Sequence, residues 1–152
     1  MKLQVIKCSK PALTEVVPLV ELYQKRLKSF VKADSLVLKS SQKSQPTSLK
    51  DLAGSSQDTA GLYRIVFDEF GSTITTKELA AKIEKLNLAG SYKVVQFLIG
   101  SPFGFEKEVK DSAQELVRLS SMTLPSDLAW LVCWEQIYRA YSILNNTGYH
   151  HE

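Results

Sequence analysis

The sequence predicts an α/β protein built on a mainly parallel sheet, and three observations carry that prediction. YKVVQFLIG, residues 92–100, is a near-continuous apolar run of the kind found in a strand buried on both faces of a parallel sheet. LYRIVFD, residues 62–68, is rich in β-forming side chains. Between them lies a helical pattern, and strands that alternate with helices assemble into parallel βαβ units.

Taken in order, KLQVIKC at 2–8 alternates in part, with Leu3, Val5 and Cys8 apolar, and predicts a short first strand. Pro11 and Thr14 open a helix whose apolar positions Leu13, Val16, Val17, Val20, Leu27 and Val31 keep helical spacing, with Glu21, Lys25, Arg26 and Lys28 on the other side. SLVLK at 35–39 predicts a second strand. SSQKSQPTS follows, polar and without periodicity, and reads as a loop. Lys39, Lys43 and Lys50 in and beside it are open to phosphate contact or to plain solvation. A weak helix runs from residue 48 to 53 or beyond, its end blurred by Gly54. After 62–68, Gly71 is expected to turn the chain. Thr75 or Thr76 caps a helix with the stripe Leu79, Ile83 and Leu86 and a Glu78/Lys82 pair, stopped by Asn87 and Gly90. Beyond the apolar strand come a glycine-bearing turn, a short helix at 105–114, a strand at 115–119, a loop SSMTLPSD and a last helix from Asp127 to about Asn145.

That last helix is apolar on nearly all sides. Trp130, Trp134, Ile137, Tyr141 and Leu144 form one stripe, and Leu128, Leu131, Val132 and Tyr138 extend it around the cylinder. Such a helix must be covered all round, which predicts a homodimer interface along it; the alternative is a helix wholly buried in its own domain.

Length and composition set the outer bounds. The 152 residues, 44% hydrophobic and 23% charged, suit a single domain spanning 1–152 that needs neither disulfides nor metal to hold a core. A net charge of +3 permits a nucleic-acid partner without demanding one. No apolar run reaches a membrane span, and MKLQVIKC lacks the apolar core of an export signal. Cys8 and Cys133 sit in apolar contexts without CxxC spacing and read as reduced core thiols, as expected in the cytoplasm. The adjacent His150 and His151 find no further Cys or His at ligand spacing, so no metal site is expected.

Two stretches could carry chemistry. In LIGSPFG, residues 98–104, Gly100 and Gly104 allow close backbone approach at the carboxyl edge of the sheet, where α/β proteins bind ligands. The spacing is neither a dinucleotide fingerprint nor a phosphate loop, and the turn is open to a purely structural reading. LSSMTLP, residues 119–125, offers main-chain donors and acceptors that could hold an adenine.

These two stretches, with EQIYRAYSILNNTGYHHE at 135–152, resemble the ribosomal large subunit methyltransferase H family of SPOUT methyltransferases, from the opening MKLQ to the closing YHHE. The resemblance implies a SPOUT (α/β-knot) fold with a C-terminal trefoil knot. It implies S-adenosyl-L-methionine as cofactor, held by Phe67, Gly100, Leu119, Ser120, Ser121, Met122, Thr123 and Leu124. It implies methylation of N3 of a pseudouridine in large-subunit ribosomal RNA, within the assembled ribosome, by a cytoplasmic homodimer. The terminal pattern YHxE matches Tyr149, His150 and Glu152. His150 is then a candidate base or orienter, Arg139 a cation for phosphate or base, and Tyr149 a platform for a flipped nucleotide. Arg139 also stands four residues after Glu135, as a plain helix-surface ion pair would require. A non-catalytic RNA- or ribosome-binding dimer, and the same chemistry on another RNA, are the competing functions. Three positions depart from the family pattern: Ser101 replaces the second glycine of the turn, and Ser126 and Trp130 replace a His and an Arg. A serine forced to positive φ at 101 would cost about 1 kcal/mol or more.

Overall fold

The computed structural model describes residues 1–39, 44–53 and 60–151. Lys43, Gly54 and Glu152, which the sequence singled out, lie outside the described residues. Among the described residues, five strands and five helices follow one another as β1 (Lys2–Lys7), α1 (Val16–Leu27), β2 (Ala33–Val37), α2 (Leu49–Leu52), β3 (Leu62–Thr73), α3 (Thr76–Ala89), β4 (Val94–Ile99), α4 (Lys107–Asp111), β5 (Glu115–Arg118) and α5 (Ser126–Leu144). The strands form one sheet in the order β2-β1-β4-β3-β5, every neighbouring pair parallel.

Alternation along the strands divides the core in two. Leu3, Val5, Ile65, Val95, Phe97 and Ile99 face α1, α3 and α5, whereas Ile6, Val66 and Leu98 face Leu52 of α2 and Phe105 and Val109 of the α4 segment. β4 is buried on both faces, as its unbroken apolar run requires. Cys8 and Cys133 are both buried free thiols; burial pushes Cys8 up to about 12, so it stays a protonated, inert core residue.

Helix starts follow their capping chemistry. Thr75 accepts from the Glu78 N–H while Glu78 reaches back to the Thr75 N–H, a complete capping box. Ser48 and Asp51 repeat the device at α2. α1 starts at Val16 rather than at Pro11 or Thr14, has no side-chain cap, and leaves Leu13 exposed. Pro18 falls inside its first turn, where the missing N–H has no helical acceptor anyway.

Two local expectations are corrected. Glu78 is occupied by its cap, and Lys82 pairs instead with Glu115 of β5 at 2.6 Å. Gly71 does not end its strand: β3 continues to Thr73, but both Phe67 and Ser72 pair with Val117, so residues 68–71 bulge out. A Cβ on Gly71 would stand 2.7 Å from main-chain atoms of Val117, which is why only glycine fits there.

The stripe on α5 is also relocated. Trp130, Cys133, Trp134, Ile137 and Ala140 are packed into this chain's own core against the sheet, with Trp134 at 0% exposure. Within one chain the buried-helix alternative accounts for the stripe assigned to a dimer. What α5 leaves outside is its flank, where Leu128 is 38% exposed and Leu131, Val132 and Tyr138 are half-buried. Next to it α1 presents Leu19 and Leu22 to the surface, and Leu13, just before the helix, is exposed as well.

Candidate functional site

Strand ends create the cleft. β3, β4 and β5 all run in the same direction, so their carboxyl ends bring the 68–71 bulge, the 98–104 turn and the 119–126 loop to one edge. A cavity of about 490 Å³ opens among them, the size of a site for a nucleoside-like ligand. Of the eight residues expected to hold a cofactor, seven line it: Phe67, Gly100, Leu119, Ser120, Met122, Thr123 and Leu124. Ser121 is exposed and is not part of the lining.

Each wall has a local cause. Gly100 packs against the Phe105 ring so closely that a Cβ would lie 2.9 Å from it, which makes Gly100 a requirement of close approach rather than of backbone sign. Ser101 carries no positive φ, and the expected strain is absent. Its carbonyl accepts from Gly104 N–H at 2.9 Å and its Oγ from Phe103 N–H at 3.2 Å, so the serine tightens the turn. Ser120 Oγ accepts from Met122 N–H at 2.9 Å. Among the described residues, the main-chain groups of residues 120–124 form no main-chain hydrogen bond, leaving donors and acceptors for the edge of a base.

Asp68, Glu69 and Arg118, which no sequence motif marked, complete the lining together with Ser126. Lys110 lies 3.2 Å from Asp68, and Arg118 donates to Thr73 Oγ1 through Nε at 3.1 Å and a terminal nitrogen at 2.9 Å. The legible signal for Asp68 and Glu69 was their place just past an apolar strand, on the edge where such sheets bind ligands. Ser126 donates to the Gly100 carbonyl at 2.6 Å and thereby ties the start of α5 to the turn after β4.

The three tail candidates are together, but elsewhere. α5 ends in a Schellman motif: Asn146 takes a positive φ of 52°, its N–H reaches Ile143 O at 3.2 Å, and Thr147 N–H reaches Ser142 O at 3.1 Å. The reversal lays the tail back along α5. Tyr149 packs edge-on to Tyr138 with ring centroids 4.8 Å apart, donates to Glu135 at 3.1 Å, and meets the Tyr23 hydroxyl at 3.4 Å. The Arg139 guanidinium sits 4.7 Å from the Tyr149 ring centroid, and its Nε donates to Glu135 at 2.9 Å. The ion pair with Glu135 is therefore formed, and that hydrogen bond raises the Arg139 pKa further. Burial raises the Tyr149 phenol well above its usual value, and Tyr23 and Glu135 add to this, so Tyr149 is a neutral donor. Arg139 contacts His150 Nδ1 at 3.4 Å, and because arginine only donates, Nδ1 is the acceptor.

Separation is the main finding about the tail. Ser126 lines the cleft and Arg139 lies 13 residues further along α5, about 20 Å away at the helical rise. A single chain does not bring the two groups into one site.

Among the described residues, no group of three or more His, Cys, Asp and Glu could hold a metal ion, and no helix is long and apolar enough to cross a membrane.

An all-parallel sheet with a cleft at its carboxyl edge, walled by a glycine turn and an irregular loop, is the arrangement in which open α/β proteins bind ligands. Comparison with known proteins narrows this. The family model described as "Predicted SPOUT methyltransferase" matches residues 1–150, and the chain belongs to that family. It is 36% identical to the ribosomal RNA large subunit methyltransferase H of Bacteroides fragilis over 136 residues, 86% of each chain. It is 43% identical to the protein of that name from Bordetella avium over 91 residues, 60% of this chain and 57% of the relative. The Dechloromonas aromatica protein of the same name is likewise 43% identical, over 93 residues. The matched region thus spans a little over half the length of the Bordetella relative.

Proposed function

We propose that this chain is an S-adenosylmethionine-dependent methyltransferase that modifies N3 of a pseudouridine in large-subunit ribosomal RNA, in the cytoplasm and on the assembled ribosome. One observation carries the reading: in a chain of the SPOUT family, seven of the eight residues carried over from the resemblance converge on one cleft. The residues fit the cofactor in chemistry as well as position. Apart from the Met122 N–H, which Ser120 holds, the main-chain groups at 120–124 suit an adenine edge, Phe67 and Leu119 offer apolar walls, and Glu69 lies where a ribose hydroxyl or an amino group could be bonded. The trefoil knot belongs to this reading, and the Ser126–Gly100 bond holds the 119–126 loop against the 98–104 turn.

S-adenosylmethionine supplies an electrophilic methyl group on a sulfonium. The chain's own contribution is alignment, together with management of the proton on N3. Tyr149 offers a rigid aromatic face and a neutral hydroxyl for the base. Arg139 provides positive charge, and His150, held through Nδ1, orients the tail against it.

The 20 Å gap makes the homodimer part of the mechanism. A two-fold axis across the middle of α5 superposes the tail end of one helix on the cleft end of the other, so the partner's tail reaches this chain's cleft. Leu13 ahead of α1, Leu19 and Leu22 on it, and Leu128 on the α5 flank are the exposed face we assign to the contact. Ser101, Ser126 and Trp130 do not favour a non-catalytic dimer, because the first is unstrained, the second is hydrogen-bonded to the cleft, and the third is packed in the core.

The test is transfer of labelled methyl from S-adenosylmethionine to unmethylated ribosomes, free ribosomal RNA and separate subunits, with mass spectrometry of the product. Label on one large-subunit pseudouridine supports the reading. Label on another nucleotide reassigns the substrate, and neither label nor cofactor binding overturns the enzyme.

A further inference from the structure

Lys7 is the last residue of β1 and its side chain is fully buried. It points to the α5 face of the sheet, where its ammonium lies 2.8 Å from Asp127 Oδ1 and donates to Ser126 Oγ at 3.2 Å, Ser9 Oγ at 3.1 Å and Ser9 O at 3.2 Å. The other Asp127 oxygen accepts from the N–H groups of Ala12 at 2.9 Å and Leu13 at 2.7 Å. The Ser126 hydroxyl in turn donates a hydrogen bond to the Gly100 carbonyl at 2.6 Å. One ammonium thus fastens three segments at the carboxyl edge of the sheet: the β1–α1 connection, the turn after β4 and the start of α5. Trp130 lies on the same group, its ring centroid 5.9 Å from the Lys7 nitrogen. Two of the three departures from the family pattern, Ser126 and Trp130, therefore contact this lysine.

A staple that merely stabilises the fold would be a poor use of such a group. Burying an ion pair costs several kcal/mol of desolvation, largely offset by the pairing, so the net gain in stability is small. Fixed geometry is what a fully satisfied buried network gives instead. Gly100 and Ser126 both line the cleft, and each is one or two bonds from Lys7.

We propose that Lys7 is a positioning residue for the cleft: through Ser126 and Asp127 it sets the spacing between the 98–104 turn and the 119–126 loop, and with it the affinity for S-adenosylmethionine. The inference rests on the reading of the cleft as the cofactor site. Lys7 does not touch the cofactor in this scheme. It acts on the two walls, and a shift of well under 1 Å in either is enough to weaken a ligand held by main-chain hydrogen bonds.

The experiment compares wild type with Lys7→Met, which keeps the length of the side chain, and Ser126→Ala, which cuts only the link to Gly100. Calorimetry with S-adenosylhomocysteine is expected to show Kd raised about tenfold in Lys7→Met and about fivefold in Ser126→Ala. Methyl-transfer kinetics are expected to split, with the cofactor KM raised about tenfold and kcat lowered less than about threefold. Hydrogen exchange of the ligand-free protein reads the clamp without any cofactor: amides of residues 98–104 and 119–126 exchange faster in both variants, while those of β3 and α3 do not. Should Lys7→Met fail to fold, Ser126→Ala carries the same test. Affinities within twofold of wild type together with unaltered exchange overturn the proposal, as does a loss confined to kcat. If wild type itself binds no S-adenosylhomocysteine, the cofactor reading fails and the positioning role falls with it, whereas a wild type that binds, beside variants with unaltered affinity and exchange, refutes Lys7 alone.

Discussion

Gly71→Ala tests the least expected piece of backbone in the molecule. An ideal Cβ at this position lies 2.7 Å from both the N and the carbonyl C of Val117 and 2.8 Å from the carbonyl C of Leu116. Ordinary carbon contact begins near 3.5 Å, so the added methyl is about 0.8 Å too close to main chain that cannot rotate aside. β5 has to move away from the β3 bulge, at a cost of about 3 kcal/mol for overpacking of this kind. For a chain of this length that lowers Tm by about 6 to 12 °C. Gly90→Ala is the matched control: its φ of +66° strains an alanine, but nothing lies within 4 Å of the new atom. It is expected to cost about 1 kcal/mol, or about 2 to 4 °C. The two part further in binding, because β5 leads straight into Leu119 of the cleft and the end of α3 does not. Thermal melts by circular dichroism at one protein concentration, with calorimetry against S-adenosylhomocysteine, read both effects. Equal losses of Tm in the two variants, or an unchanged Kd in a folded Gly71→Ala, would refute the argument from close approach.

Trp134→Glu unfolds the chain, because it puts a carboxylate where exposure is 0%, whereas Leu128→Glu leaves a folded protein that sediments as a monomer; a folded Trp134→Glu chain would sink this division of the helix. Burial alone would raise the Asp127 carboxyl, but the Leu13 N–H, the Lys7 ammonium and the Ala12 N–H outweigh it and hold its pKa below the ordinary value. A depressed carboxylate contributes stability that is complete above its unfolded pKa, about 3.9, and lost as the pH falls further. Urea melts from pH 6 to pH 2 should therefore show a steeper acid loss in wild type than in Asp127→Asn, and parallel curves would contradict the assignment. Thr123→Pro removes an N–H from the 119–125 loop without touching the core, so cofactor heats vanish while the melt is retained; unchanged heats would remove that loop from the site.

The elements legible in the sequence are those governed by local rules. β4 declared itself by an apolar run that only burial on both faces explains, and α3 by a capping threonine ahead of the stripe Leu79, Ile83 and Leu86. The cleft was legible through the 98–104 and 119–125 stretches because both lie just past a strand, on the edge that parallel sheets use. What escaped depended on contacts between segments far apart in the chain. Nothing local marks Gly71 as the neighbour of Val117, and the turn signal was read where a bulge stands. Lys7 was passed over because a lysine ending a short strand is ordinarily solvated; its partners lie 119 and 120 residues away. The tryptophan stripe was legible as apolar, but periodicity does not distinguish a chain's own sheet from a second copy.

In the proposed dimer, the cleft at one end of α5 and the tail carrying Tyr149 and His150 at the other give the protein a genetics of its own. In the proposed dimer each pocket borrows its tail across the two-fold axis, so a defect in a wall and a defect in a tail fall in separate complementation groups. A subunit crippled at Thr123 and one crippled at Tyr149, each silent by itself, would form a mixed pair with one pocket doubly broken and one wholly intact. Random exchange of equal amounts makes half the pairs mixed, and about a quarter of the wild-type turnover returns.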